Sequence, residues 1–199
     1  MNIDANKENG KKAEDLFAKY LNGKEIPFYR VDQNIETYSN QFFDKEIRRP
    51  DFIIYLKKGA FHIDVKYRTK KPFGENNEKR FYLNGSEVKG LTNFQNELNT
   101  NIWVSFTENL ENPDFHYISL LSINEYYEDL CNTIGSDFYN VLKNNKTESS
   151  KYHENFFYLF PKELLYHDLS YEKGFSKKNV DIEYFNKEAE LHKKIWKKR

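Results

Sequence analysis

Two aspartates and a lysine lie within a short stretch of sequence that otherwise looks like a pair of β-strands. Residues 48–69 read RRPDFIIYLKKGAFHIDVKYRT, which places Asp51, Asp64 and Lys66 beside the apolar runs FIIYL and FHIDV. Carboxylate oxygens are ligands that Mg²⁺ prefers, and an ammonium group stabilises negative charge that develops on a phosphate. The three side chains could therefore carry out metal-assisted hydrolysis of a phosphodiester bond.

The alternation of side chains along a strand decides whether the three groups can meet. Asp64 and Lys66 are two residues apart and share one face of the second strand. A turn within residues 57–60 that has an even number of loop residues pairs Asp51 either with Lys66 or with Asp64. Both registers place all three groups on one face. Two carboxylates so close repel each other unless positive charge lies between them, and Lys66 and a divalent cation would supply it.

The pattern Pro50-Asp51, twelve residues, then Asp64-Val65-Lys66 resembles the PD-(D/E)xK nuclease superfamily. The resemblance implies a metal-dependent DNA endonuclease that uses Mg²⁺, with Mn²⁺ able to substitute. It implies Asp51, Asp64 and the backbone carbonyl of Val65 as metal ligands and Lys66 as the catalytic cation. Many members carry a glutamate on the first helix, and Glu14 in GKKAEDLFAKYL stands at that place as an auxiliary ligand or base.

The elements predicted around these residues follow the order helix, three strands, helix, strand. Apolar periodicity and turn residues place a helix at 10–22, strands at 26–32, 52–56 and 61–67, a helix at 91–98 and a strand at 102–107. This order matches the usual core of the superfamily. We therefore expect an α/β protein with a restriction-endonuclease-like core, in which helices flank a central mixed sheet.

The sequence after residue 107 gives weaker signals. It predicts a strand at 115–120, a helix from Ser122 to about Cys131, a short helix at 135–143, a loop at 144–150, a strand in FFYLF and a terminal helix from Asp181. We expect residues 1–107 to form the nuclease-like core and residues 108–199 to form a C-terminal α/β extension of the same domain.

Other fragments of the motif lack its context. Glu87-Val88-Lys89 is a second acidic-x-Lys triplet, but Asn84-Gly85-Ser86 precedes it, which favours a turn. Pro113-Asp114 has no such triplet after it. The Gln-x-x-x-Tyr signature of one exonuclease branch is also unmatched, since Asn99 stands four residues after Gln95. Gln95 is still a candidate for a polar helper on the helix behind the site.

Charge is distributed unevenly although the net charge is zero. Residues 45–80 contain eleven Lys or Arg against five Asp or Glu. This basic zone could attract a nucleic acid. The candidate contacts beside the site are Lys57, Lys58, Arg68, Lys70 and Lys71, and the basic residues at 193–199 could extend them along a duplex. Two solvated faces whose charges cancel are the simpler alternative.

Composition excludes several classes of protein. The single cysteine, Cys131, rules out an internal disulfide framework, and the five histidines show no zinc-binding spacing. No apolar run approaches about 18 residues, and MNIDANKENGKK lacks the apolar core of a signal peptide. We expect a soluble cytoplasmic protein that binds DNA and no membrane.

Two other functions fit the same residues. The chain could be a nucleic-acid-binding or assembly module that keeps the fold without turnover, or its target could be RNA, because phosphate chemistry does not distinguish the sugars. Retention of Asp51, Asp64 and Lys66 favours an enzyme. No base-reading motif is visible, so specificity would come from loops, from the C-terminal half, or from a homodimer or partner protein.

Overall fold

A computed structural model describes residues 3–73, 77–134, 157–160, 164–175 and 190. The elements are α1 (Ile3–Gly23), β1 (Phe28–Arg30), a short 3-10 helix (Ile35–Thr37), α2 (Asn40–Asp44), β2 (Phe52–Leu56), β3 (Gly59–Tyr67), β4 (Lys71–Phe73), β5 (Glu78–Asn84), α3 (Gly85–Leu98), β6 (Ile102–Thr107), β7 (His116–Ser119), α4 (Leu120–Ile134), β8 (Phe157–Phe160), β9 (Leu169–Ser170) and β10 (Gly174–Phe175).

A mixed sheet in the order β1-β2-β3-β6-β7 forms the centre of the protein. Strands β3 and β6 run parallel, and the other neighbouring pairs are antiparallel. The parallel pair requires a crossover, which β4, β5 and α3 provide. Strands β4, β5 and β8 form a second sheet, and β9 pairs with β10. The predicted elements occur in the predicted order, with α2, β4 and β5 in addition, and the central mixed sheet flanked by helices is confirmed.

The register of the β2–β3 hairpin shows which residue lies opposite Asp51. Phe52 lies opposite Ile63 and Leu56 opposite Gly59, which leaves a two-residue turn. Gly59 has a φ of 134°, a conformation that side chains rarely allow, so the turn needs glycine at this position. Continuing this register by one residue sets Asp51 opposite Asp64.

The two faces of the sheet bury separate apolar clusters. Ile63 and Val65 of β3 pack with α1, whereas the ring of His62, on the other face of the strand, lies 5.3 Å from that of Phe94 in α3. Asp64 and Lys66 therefore point toward α3. The α1 cluster consists of Ala13, Phe17, Leu21, Ile26, Phe52, Ile54, Leu56, Ile63, Val65, Phe115, Tyr117, Tyr166 and Leu169. The opposite cluster includes Phe81, Leu83, Val88, Leu91, Phe94, Ile102, Val104, Phe106, Ile118 and Leu120.

Residues 70–90, between the predicted strand at 61–67 and the predicted helix at 91–98, contain β4, β5 and the first residues of α3. Phe81 and Leu83 alternate into the core, and Asn84 and Glu87 form a capping box that starts α3. The predicted turn at Glu87-Val88-Lys89 is therefore wrong. The predictions for residues 135–150 lie outside the described residues, and so do the basic tail at 193–199 and all of the terminal helix except residue 190.

Phe17 should be the main anchor of α1 on the sheet. Its ring is fully buried and contacts the rings of Phe52, Phe115 and Tyr117. We expect Phe17→Ala to lower the free energy of unfolding by about 3–5 kcal/mol, because it leaves a cavity that the rigid sheet cannot fill. Phe43→Ala, at a half-exposed ring, should cost about 1 kcal/mol or less. Urea denaturation of both variants tests this, and equal losses would contradict it.

Candidate active site

The fold brings Asp51, Asp64 and Lys66 together at one end of the hairpin. Asp51 immediately precedes β2, and the other two lie near the end of β3. The Val65 backbone N–H donates to Asp51 Oδ2 at 2.7 Å, and Lys66 Nζ lies 2.5 Å from Asp64 Oδ2. The predicted grouping of the three side chains on one face is therefore what the structure shows.

Backbone contacts fix Asp51 in this position. Its N–H donates to Ile63 O at 2.9 Å, and its carbonyl accepts the N–H of Val31 at 2.8 Å. The residue is thus bonded on both sides, although it lies one position before β2. The Asp51 carboxylate takes the Val65 N–H, which leaves it one fully available oxygen, Oδ1.

Asp64 is a fully buried carboxylate without ordinary solvation. Among the described residues its polar partners are cations, and no backbone N–H or hydroxyl group donates to it. Its nearest cations are Lys66 at Oδ2 and, 3.8 Å from Oδ1, Arg48 Nε. Burial of a carboxylate is costly even beside one ammonium group, and a hard cation bound by oxygen ligands would offset more of that cost. The donor set therefore fits a Mg²⁺ ion held between Asp64 and Asp51.

Asp51 responds to the same crowding. Burial raises the pKa of Asp51 to about 7, and the charge of Asp64 adds to the rise, while Lys66 and the Val65 N–H partly oppose it. Glu14 contributes a further, smaller rise. A cation between the two carboxylates would favour the ionised form of Asp51.

Glu14 lines the same cleft but is held by an arginine. Its Oε2 lies 2.6 Å from Arg30 Nη2, and the other arm of that guanidinium pairs with Asp15. Within the part of the chain that the structure describes, no three His, Cys, Asp or Glu side chains converge to hold a metal ion. The two aspartates therefore form the carboxylate pair, and a ligand role for Glu14 remains a prediction that requires it to leave Arg30.

Glu87 is a site residue that the sequence reasoning missed. This buried carboxylate pairs with Arg68 at 2.6 Å, and the same oxygen lies 3.6 Å from Arg48 Nη1 and 4.0 Å from Lys66 Nζ. Its other oxygen accepts the N–H of Asn84 at 2.9 Å and so caps α3. Glu87 thus lies among three cations, Arg48, Lys66 and Arg68, at the end of β3. The capping-box spacing Asn84-x-x-Glu87 was the available signal for its helical position.

An open cleft of about 710 Å³ runs past these residues. Val65 and Lys66 line it together with Asp51, Arg48 and Arg68. The N-terminal half of α1 forms one wall through Lys7, Gly10, Lys11 and Glu14, and the segment after β1 forms another. A cleft with carboxylates at its floor and cations on its walls suits an anionic substrate whose reacting group must approach a metal.

The predicted nucleic-acid contacts are only partly at the cleft. Arg68 lines it. Lys57 and Lys58 form the turn at the opposite end of the hairpin, about 20 Å from Asp51 at about 3.3 Å per residue, so the expectation that they flank the site is wrong. Lys57 pairs instead with Glu172 at 2.6 Å.

Three further predicted helpers lie away from the cleft. Lys70 pairs with Glu108 at 2.7 Å, and Lys71 lies over the ring of Tyr82 on the β4–β5 hairpin. Gln95 accepts the N–H of Ile102 at 3.4 Å, about 12 Å along α3 from Glu87. It therefore contacts the start of β6, where Ile102 lies opposite His62 rather than Asp64, and Glu87 occupies the position on α3 that faces the site.

Comparison with known proteins agrees with this geometry. A family model described as the nuclease-related domain, NERD, matches residues 9–120, which is more than half of the chain. The chain belongs to the NERD family. The match spans the cleft, the hairpin and α3, and it confirms the predicted nuclease-like family.

Two other comparisons accompany this NERD match. Among solved structures, the chain is similar to Hjc, a Holliday junction resolvase from the hyperthermophilic archaeon Archaeoglobus fulgidus, with 17% identity and a TM-score of 0.39 over 56% of this chain and 78% of that chain. No curated protein matches. None of the helices in the described part of the chain combines the length and apolar character that a membrane crossing requires.

Asp51 should make the metal-free protein less stable as pH rises. Because folding raises its pKa from 3.8 to about 7, its stabilising contribution is fully present below about pH 3.8 and is lost as pH rises through about 7. We expect Asp51→Asn to remove this loss, so the variant should gain stability relative to wild type between pH 5 and pH 8. Urea denaturation in EDTA at both pH values measures the difference.

Asp168→Asn is the matched control for that experiment. Its carboxylate is about two-thirds exposed and pairs with Lys24 at 3.4 Å, far from the cleft. This variant should follow the wild type across the same pH range. The assignment to Asp51 is wrong if Asp51→Asn and Asp168→Asn give the same pH dependence.

Proposed function

We propose that this NERD protein is a divalent-metal-dependent endonuclease that hydrolyses phosphodiester bonds in DNA. The observation that supports it most directly is the pairing of Asp51 with the buried Asp64 and Lys66, where Asp51 and Lys66 line a cleft whose walls carry cations. Family membership supports nuclease chemistry. The metal and the nature of the nucleic acid are part of the proposal.

The site residues divide the work of hydrolysis. Asp51 and Asp64 would hold Mg²⁺, which when bound would polarise the phosphate and lower the pKa of a water ligand. In the reaction a water oxygen bonds to phosphorus, one phosphorus–oxygen ester bond breaks, and the leaving oxygen takes up a proton. Negative charge grows on the phosphate during this exchange. Lys66, held at Asp64 by the strand, is placed to stabilise that charge and to orient the water.

The wall formed by α1 would carry the backbone of the nucleic acid. Lys7, Lys11 and Glu14 are spaced i, i+4 and i+7 and so share one face of the helix. No carboxylate of the described residues pairs with Lys7 or Lys11, whereas Lys12, on another face, pairs with Glu8. The two cleft lysines lie about 6 Å apart along the helix axis, close to the spacing of successive phosphates. They are therefore better candidates for phosphate contacts than the lysines of the hairpin turn.

Lys66 should be needed for cleavage more than for metal binding. An ammonium has no lone pair for a metal, and Lys66→Met keeps the side-chain volume while it removes the charge. We expect the single-turnover rate of cleavage of labelled duplex in Mg²⁺ or Mn²⁺ to fall by about 10²–10³-fold. Mn²⁺ should raise the melting temperature of the wild type, and the same rise should persist in Lys66→Met.

Lys89→Ala is the control, because that exposed lysine pairs with Glu46 and lies outside the cleft. It should cleave at the wild-type rate, and EDTA should stop every active variant. If Lys66→Met cleaved as fast as Lys89→Ala, the hairpin would be a charged surface and the protein a binding module.

The two pairs of lysines give opposite expectations for DNA binding. The double variant of Lys7 and Lys11 to Ala should weaken binding and lower the slope of log K against log salt by roughly 0.9 for each lost phosphate contact. The same change at Lys57 and Lys58 removes equal charge at the far end of the hairpin and should leave the slope unchanged. Fluorescence anisotropy in EDTA measures both, and equal slopes would contradict the proposed path.

A further inference from the structure

Arg48 is a cation at the cleft whose head group is not committed to the fold. Its closest carboxylates are Asp64, 3.8 Å from Nε, and Glu87, 3.6 Å from Nη1, and both distances exceed those of a hydrogen bond. Each of these acids has a nearer cation, Lys66 at 2.5 Å and Arg68 at 2.6 Å. The Arg48 side chain is 44% exposed and lines the cleft.

The backbone of Arg48 is, by contrast, fixed. Its N–H donates to Gly90 O at 3.0 Å, which ties the segment before Asp51 to the first turns of α3. Gly90 allows this contact, because a Cβ at that position would lie 2.8 Å from Arg48 Cβ. A rigid base that carries an uncommitted guanidinium is the arrangement expected of a ligand-binding arginine rather than a structural one.

Arg49, the next residue, shows what a structural arginine looks like here. It is buried, and its guanidinium donates to Thr37 Oγ1 at 2.8 Å and to Asn34 O at 3.0 Å while it stacks over the ring of Tyr38. These contacts hold the segment that forms one wall of the cleft. The Arg48 guanidinium makes no hydrogen bond of this kind to the residues that the structure describes, although Arg48 and Arg49 share the same stretch of chain.

Arg48 and Lys66 lie near different oxygens of Asp64. Arg48 Nε is closest to Oδ1, and Lys66 Nζ is closest to Oδ2. A phosphate brought to this carboxylate would therefore meet two cations. A guanidinium can donate two parallel hydrogen bonds to phosphate oxygens, which a single ammonium cannot do with the same geometry. The Arg48 guanidinium is available for such a pair of hydrogen bonds, whereas the Lys66 ammonium is buried beside Asp64. The two cations could therefore contact different oxygens of the same phosphate.

We propose that Arg48 is a further catalytic residue, which donates hydrogen bonds to a non-bridging oxygen of the phosphate under attack. This rests on the proposed nuclease function. The charge on that oxygen grows as the water oxygen bonds to phosphorus and the ester bond breaks. A preformed donor at this place lowers the barrier because it need not reorganise during the reaction.

The test compares Arg48→Gln and Arg48→Lys with wild type and Lys89→Ala. For Arg48→Gln we expect the single-turnover cleavage rate to fall by about 10²–10³-fold. The salt slope of DNA binding in EDTA should fall by roughly 0.9, for one lost phosphate contact. Arg48→Lys should keep the wild-type slope but recover only part of the rate, because it keeps the charge without the planar fork.

A merely structural role would give a different result. If Arg48 only supports the fold, Arg48→Gln should have a lower melting temperature and a smaller response to Mn²⁺, and that outcome would overturn the proposal. A cleavage rate within about threefold of wild type would also overturn it, because the loss of one such donor costs far more. If the wild type itself fails to cleave in Mg²⁺ and Mn²⁺, the proposed function fails instead. The salt slope then decides for Arg48 alone, and an unchanged slope in Arg48→Gln would exclude a phosphate contact.

Discussion

The repulsion between two neighbouring carboxylates, the buried Asp64 and the partly buried Asp51, is the constraint around which this site is built. No backbone N–H or hydroxyl group of the described residues donates to Asp64, and Asp51 is pushed toward its protonated form by burial and by Asp64. Such a pair persists only where the surrounding structure holds it and nearby cations reduce its cost. Lys66 does so directly, Arg48 adds positive charge 3.8 Å from Asp64, and Arg68 is paired with Glu87.

The apolar clusters on the two faces of the sheet provide the folding free energy that offsets the repulsion between the two carboxylates. Phe17 and its ring contacts fix α1 on one face of the sheet, and Phe81 and Phe106 stack on the other. Polar contacts then position the site itself. Arg49 donates a hydrogen bond to Thr37 and so holds the segment that forms one wall of the cleft. The Gly90 carbonyl accepts the N–H of Arg48 and so joins that segment to α3. The charged groups are therefore placed by a framework that does not depend on their mutual attraction.

Sequence reasoning found the parts of the site that local structure determines. The alternation in β2 and β3 and a short turn at glycine set which side chains share a face, so Asp51, Asp64 and Lys66 could be grouped from the sequence. Glu87 could not be placed in the same way, because it reaches Lys66 only through the crossover of β4, β5 and α3. Lys57 was placed wrongly although the predicted turn already contained it, because a residue of the turn lies one full strand length from Asp51.

The neutral net charge of the chain does not describe what a polyanion would meet. Lysines and arginines on α1, β1 and the hairpin end gather around one concave surface, while acidic side chains such as Glu14 and Glu87 are paired with arginines. Walls of low dielectric concentrate the field of such a surface, so local charge decides attraction more than the total does. A divalent cation at Asp51 and Asp64 would neutralise the main negative charge on the cleft floor. Attraction of a phosphate backbone and occupation of the metal site would then reinforce each other, because each reduces the charge that opposes the other.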